Sequence, residues 1–180
     1  MTGLPPFPAA TGPGPEAPAL FAARGFALRP ATLADIPRLQ QVYADSRDRE
    51  MAGVPWPEAA KQGFLAQQFA LQHQHYVAHY ADADFLVIEH QGIVQGRYYL
   101  RRAAPEHLIV DISLAAAYRG QGLGRALIEA SQARAQAQGC GMELHVVKSN
   151  LPARRLYDRL GFVPCDGGTD THQRMRWPAS

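Results

Sequence analysis

The chain has 180 residues, 47% of them apolar and 19% charged, with a formal net charge of +2. That length and apolar content suit one domain able to bury a sizeable core. The scattered, nearly balanced charge excludes a basic nucleic-acid surface, and no apolar run approaches the length of a membrane span.

Residues 1–24 are rich in Pro, Ala and Gly, with Glu16 and Arg24 their only charges. They lack the basic and continuous apolar parts of a secretory leader, so they read as an extended N-terminal extension before a single domain over 25–180. Phe26 to Pro30 alternates as a first strand. Thr32 with Asp35 three residues on is a capping-box-like start, and Ile36, Leu39, Val42 and Tyr43 continue a helical face. The charged, proline-bearing stretch 45–57 reads as a connection. Leu65, Phe69, Gln72 and Tyr76 then predict a second helix over 58–80. His73, His75 and His79 fall inside it without an HExxH pattern. A metal needs three or four supported ligands, so a solvated Gln/His face and no metal are expected. Residues 85–89 and 92–100 flank His90-Gln91-Gly92 as a hairpin. Only Cys140 and Cys165 occur. Two isolated cysteines point to free thiols in a reducing, cytoplasmic setting.

Residues 108–114 are mostly β-branched and apolar, a buried strand interrupted by Asp111 and Ser113. Leu123, Leu127, Ala130, Arg134 and Ala137, widened by Ala126 and Ala133, give the face of a following helix. Between the two lies Arg119-Gly120-Gln121-Gly122-Leu123-Gly124-Arg125. A glycine-rich turn at a helix N-terminus presents free N–H groups and the positive end of the helix dipole, and missing Cβ atoms permit close approach. Arg119 and Arg125 add cationic donors. A pyrophosphate suits such a cradle. No Lys-Ser or Lys-Thr follows, as a P-loop needs, and Gly-x-Gly-x-Gly departs from the dinucleotide fingerprint, although Glu143 lies at a distance suggestive of a ribose-binding acid. A turn with no ligand is the remaining plain reading.

Residues 141–147 read as another strand. Asn150 is a good N-cap, Pro152 sits in the first turn of a helix, Ala153, Leu156, Tyr157 and Leu160 share its face, and Gly161 is placed to end it.

Arg119-Gly120-Gln121-Gly122-Leu123-Gly124 and Asn150-Leu151-Pro152-Ala153-Arg154-Arg155-Leu156-Tyr157-Asp158-Arg159-Leu160-Gly161-Phe162 resemble, in order, two motifs of the GCN5-related N-acetyltransferases. The likeness covers roughly residues 26–162. It implies a mixed α/β fold: a mostly antiparallel twisted sheet of six to seven strands, splayed at its central strand, with about four flanking helices. It further implies acetyl transfer from acetyl-CoA to a primary amine, with the acceptor a small molecule or a protein amine, no nucleic acid or membrane partner, and possible homodimers. Ile112, Ser113 and Leu114 would then meet pantetheine, Arg119, Gly120, Gln121, Gly122, Leu123, Gly124 and Arg125 the pyrophosphate, and Asn150 and Ala153 the arm. Tyr157 would be the general acid at the sulfur, although a core tyrosine is the plain alternative. The second helical region, 58–80, and its loops would line the acceptor pocket, with Trp56 and Phe64 either facing substrate or filling core. For the base, the aliphatic Leu108 and Val110 leave Asp111, which alternates away from Val110 unless the bulge that the family carries on this strand re-aims it, His145 and Glu89, each with a structural alternative; a water chain or an amine arriving neutral would also serve. A non-catalytic acyl-CoA sensor would keep the phosphate turn without acid or base.

Overall fold

The computed structural model describes residues 3–10, 12 and 14–178. Seven strands form one sheet: β1 (Phe26–Pro30), β2 (Asp84–His90), β3 (Ile93–Arg101), β4 (Glu106–Leu114), β5 (Gly141–Val147), β6 (Val163–Cys165) and β7 (His172–Trp177). Their order is β1-β2-β3-β4-β5-β7-β6. Neighbours run antiparallel except β4 and β5, which are parallel. The helices are α1 (Ala19–Ala23), α2 (Ile36–Ala52), α3 (Glu58–His79), α4 (Leu123–Ala137) and α5 (Leu151–Arg159). The expected mixed α/β, mostly antiparallel architecture is therefore present, with one helix more than the four anticipated.

Each face of the sheet has its own core. Under α1, α4 and α5 lie Phe21, Ile88, Tyr98, Ile109, Leu127, Met142 and Tyr157. Under α2 and α3 lie Leu39, Tyr43, Phe69, Phe85, Val87 and Tyr99.

Three sequence expectations need correction. Part of the segment read as extended is a helix, α1, whose Phe21 is 0% exposed in the first core. Burying such a ring is worth about 1.5–3 kcal/mol, enough to hold a short helix that would be marginal alone. The stretch begun at Asp45 is not all connection, because α2 continues to Ala52, helped by an Arg47–Glu50 pair one turn apart at 2.7 Å. On α4 the buried face is Leu123, Leu127, Ile128, Ser131, Gln132 and Ala135, whereas Ala130 and Ala137 are exposed. Alanine gives little directional signal, and the polar pair is tolerated inside because it is bonded. Ser131 Oγ meets Tyr98 OH at 2.7 Å, and Gln132 donates to the Leu160 carbonyl at 2.8 Å.

The His90-Gln91-Gly92 hairpin turns through positive φ at Gln91 and Gly92, as a two-residue turn between twisted strands requires. Thr32 and Asp35 form the expected capping box, and Arg29 clamps the Asp35 carboxylate with two bonds of 2.8 and 2.9 Å. Gly96 on β3 is sterically obligatory: a Cβ there would stand 2.4 Å from the Ser113 carbonyl oxygen.

Candidate active site

The site is built where the sheet forks. β4 and β5 pair in register only from Glu106↔Gly141 to Ile109↔Leu144. Beyond Ile109, β4 stays with β3, while β5 continues along β7 to Val147. The β5-facing edge of residues 110–114 therefore has no strand beside it.

A bulge sets what the fork displays. Tyr99 pairs with Asp111 and Leu100 with Ile109, which leaves Val110 as the extra residue on β4. Ile109 packs into the α4–α5 core and Val110 into the α2–α3 core. Asp111 then follows Val110 onto the same α2–α3 face instead of alternating away. There its carboxylate accepts from Arg97 Nε (3.1 Å), Arg97 Nη2 (2.9 Å) and Tyr76 OH (2.9 Å). Arg97 is itself 3% exposed. It donates to Gln72 Oε1 at 2.5 Å, and its guanidinium carbon lies 5.4–6.0 Å from the ring centroids of Tyr43, Phe69, Tyr76 and Tyr99. The buried cation thus has its charge answered by Asp111 and makes three hydrogen bonds, two to Asp111 and one to Gln72. Burial, reinforced by the Asp111 charge, pushes the Tyr76 hydroxyl far above the usual tyrosine range, so it stays a donor.

The strand leads into the glycine turn. Gly120 and Gly122 adopt φ of +72° and +85°, and Gly122 is the N-cap of α4. The N–H groups of Gly122, Leu123, Gly124 and Arg125 make no hydrogen bond to a described residue, the ladder starting with Ala126 N–H to Gly122 O at 2.9 Å. A Cβ at Gly124 would lie 3.7 Å from Ile112 Cδ1, so the helix starts tight against the free strand edge. Here are four convergent donors at the positive end of a helix, which fits a diphosphate. The expected arginines are used locally: Arg119 Nε donates to the Leu114 carbonyl (2.8 Å), and Arg125 pairs with Glu129 at the surface (2.8 Å). Gln121 Nε2 donates to the Ala117 carbonyl at 2.7 Å. Arg24, at the end of α1, bonds the Gln121 carbonyl at 2.9 Å.

Asn150 caps α5 by accepting from Ala153 N–H at 3.3 Å. Tyr157 lies two turns in, buried in the α4–α5 core with its ring 6.0 Å from that of Phe162. Its hydroxyl makes no hydrogen bond to a described residue. Burial, and secondarily the Asp111 charge, raises its pKa well above the usual tyrosine value.

The remaining candidates separate. His145 is the first β5 residue past the last β4 pairing, exposed, and alternates with buried Leu144 and Val146 onto the Asp111 face. Glu89 sits on β2, two strands from β4, and is tied to Arg29 at 2.7 Å. Glu143 is paired with Arg174. Ser113 Oγ is buried without a partner among the described residues. Trp56 is 47% exposed and packs edge-to-face on Phe64 at 5.5 Å. His73 is buried, donating Nε2–H to the Pro5 carbonyl at 2.7 Å, and burial lowers its pKa. His75 and His79 stack at 4.2 Å on the exposed side of α3, so the three imidazoles do not converge. Sequence reading singled out Gln72 and Tyr76 only as a helix face and Arg97 not at all, so their meeting at Asp111 went unseen. An arginine in the middle of the 93–101 strand, directly before Tyr98-Tyr99-Leu100, was the available signal.

The chain is thus an α/β protein whose sheet forks beside a glycine turn at a helix start, with a buried tyrosine behind it. Residues 41–162 match the Acetyltransferase (GNAT) family, and the chain belongs to it. It is 40% identical over 79 residues to 5-NmdU N-acetyltransferase of Pseudomonas phage PaMx11, across 43% of this chain and 55% of that one. It is 34% identical over 95 residues to N-alpha-acetyltransferase 40 of Saccharomyces cerevisiae, across 48% and 33%. The chain thus spans from a third to just over half of these curated relatives. In fold it resembles the PaiA N-acetyltransferase of Thermoplasma acidophilum in complex with coenzyme A, with a TM-score of 0.62 at 17% identity over 85% of this chain and 98% of that one.

Proposed function

We propose that this chain transfers the acetyl group of acetyl-CoA to a primary amine by direct attack on the thioester. The observation that carries the reading is the fork. A free β4 edge is followed, after a 3-10 turn at Ala116–Tyr118, by a helix start whose four N–H groups are bonded by no described residue, a track for an extended amide-bearing arm ending in a diphosphate. In this reading the turn at 120–125 binds the diphosphate, and the β4 edge near Ile112 and Leu114 pairs with pantetheine. Tyr157 stands on the α4–α5 face with its proton retained, placed to protonate the departing thiolate. The amine approaches from the opposite face, where Asp111 and His145 border the fork. Asp111 already accepts three hydrogen bonds, so it orients the acceptor, and His145 takes the proton.

The test is calorimetry with acetyl-CoA, followed by an amine panel, on the wild type and Gly122→Asp. The variant puts a carboxylate at the positive-φ N-cap and should lose CoA affinity by about 100-fold or more while remaining folded, since it sets charge against charge in the cradle. Unchanged affinity in folded Gly122→Asp overturns the diphosphate assignment. Tight CoA binding with no amine acetylated would instead indicate a sensor.

A further inference from the structure

We infer that Arg24, contributed by the N-terminal segment, is a positioning residue for the coenzyme A diphosphate, fixing the direction of the Gln121–Gly122 peptide. This rests on the reading of 120–125 as the diphosphate cradle.

The argument starts from the peptide plane. In a trans peptide the C=O and the following N–H point in opposite directions. Arg24 Nη1 holds the Gln121 carbonyl at 2.9 Å, which turns the Gly122 N–H away from α1. Left alone, this peptide is poorly determined. Rotating it changes ψ of Gln121 and φ of Gly122, and glycine accepts either sign of φ at little steric cost. A flipped peptide would present a carbonyl oxygen, not a donor, to the anion. No other hydrogen bond to the Gln121 carbonyl is made by a described residue, so Arg24 is the lock.

The lock is itself anchored. Phe21 is 0% exposed beneath α1, and the Arg24 N–H closes the helix on the Phe21 carbonyl at 3.1 Å. Leu20 Cδ2 lies 3.9 Å from where a Gly122 Cβ would be, so α1 backs the turn directly. On the approach to the turn, Phe26 stacks on His90 at 4.5 Å, and His90 Nδ1 meets the Tyr118 hydroxyl at 3.2 Å. Residues 19–24 precede the span matched by the family, 41–162, so the anchor is supplied from outside it.

The experiment compares Arg24→Gln and Arg24→Lys with the wild type. CoA affinity is measured by calorimetry, and turnover is measured with acetyl-CoA and with S-acetylpantetheine, which lacks the diphosphate. Arg24→Gln should weaken CoA by about tenfold, the value of one charged hydrogen bond. Arg24→Lys should recover part of the loss, and S-acetylpantetheine turnover should stay within about twofold, since no peptide flip touches that donor. The weakening should persist at about 0.5 M salt, because a fixed peptide direction is not screened. Unchanged CoA affinity, an equal loss with both donors, or a loss that vanishes in salt overturns the positioning role. A wild type that binds no CoA overturns the cradle itself, and is recognised before any variant is made.

Discussion

On the α4–α5 side of the sheet, the proposed site consists of main-chain N–H groups at a helix start, two glycines at positive φ and one buried tyrosine. On the α2–α3 side it consists of long side chains drawn from separate elements: Gln72 and Tyr76 from α3, Arg97 from β3 and Asp111 from β4. The first arrangement depends on backbone conformation, so it needs particular residues at fixed local spacing. The second depends on four groups meeting across nearly forty positions of sequence, so no short pattern encodes it. One side is suited to a carrier of constant shape, and the other to an acceptor that can change by substitution of side chains.

The sharpest test of this division is Tyr157→Phe. Removing only the hydroxyl should lower kcat by about 10²–10⁴-fold while the KM for acetyl-CoA is roughly preserved, because a proton donor acts in the transition state. Steady-state kinetics under conditions where chemistry limits turnover provide the check. A near-normal kcat would make Tyr157 a packing residue and leave the α4–α5 side with binding alone.

The α2–α3 side is tested through stability. Arg97→Leu leaves the Asp111 carboxylate buried without its cation and should cost about 3–5 kcal/mol in urea melts. The double variant Arg97→Leu/Asp111→Leu should recover much of that loss. A double variant no better than the single one would show that the aromatic ring around Arg97, not the ion pair, sets the cost. Gly96→Ala is a smaller perturbation common to both sides. The 2.4 Å clash with the Ser113 carbonyl must be relieved by moving β3 from β4, at about 1–3 kcal/mol, read as a lowered melting temperature.

Smallest is the pH effect at Asp35. The Arg29 hydrogen bonds, opposed by desolvation and aided by Thr32, hold its carboxyl below the ordinary value. A folded-state pKa below the unfolded one, about 3.9, contributes stability above that pH, lost as pH falls through the folded value. Arg29 is 37% exposed, so solvent screens part of the pairing. Asp35→Asn should cost about 1 kcal/mol at neutral pH, the usual value of a helix cap. The gap to wild type should close in acid, as followed by thermal melts from pH 7 to 3. A gap independent of pH would assign the loss to cap geometry rather than charge.

Much of the fold was legible because strand alternation, the hairpin glycine and the caps at Thr32 and Asn150 are local signals. The glycine turn at the start of α4 and the place of Tyr157 on α5 were legible because their motifs are contiguous. The Asp111 orientation was legible only as a condition: the resemblance implies a bulge that could re-aim it, but nothing in Ile109-Val110-Asp111 marks Val110 as the extra residue. α1 was hidden by its neighbours: Leu20-Phe21 is a two-residue apolar signal inside a Pro/Ala-rich run, and its meaning lies in a partner a hundred positions away.

The closure of α5 has a consequence for timing. Nine residues make a helix too short to persist by its own propensity, and Tyr157 stands only two residues from its end, within the last turn. Gly161, at φ +82°, folds the chain back so that the Phe162 N–H bonds the Tyr157 carbonyl at 3.0 Å. Fraying at this end would therefore carry the phenol out of the α4–α5 core, and, if Tyr157 is the proposed acid, the fraction of time the end is open would set a ceiling on how often a proton can be delivered. Amide exchange at Phe162 reports that fraction directly, which makes a backbone bond at the rim of the helix a clock for the chemistry inside it.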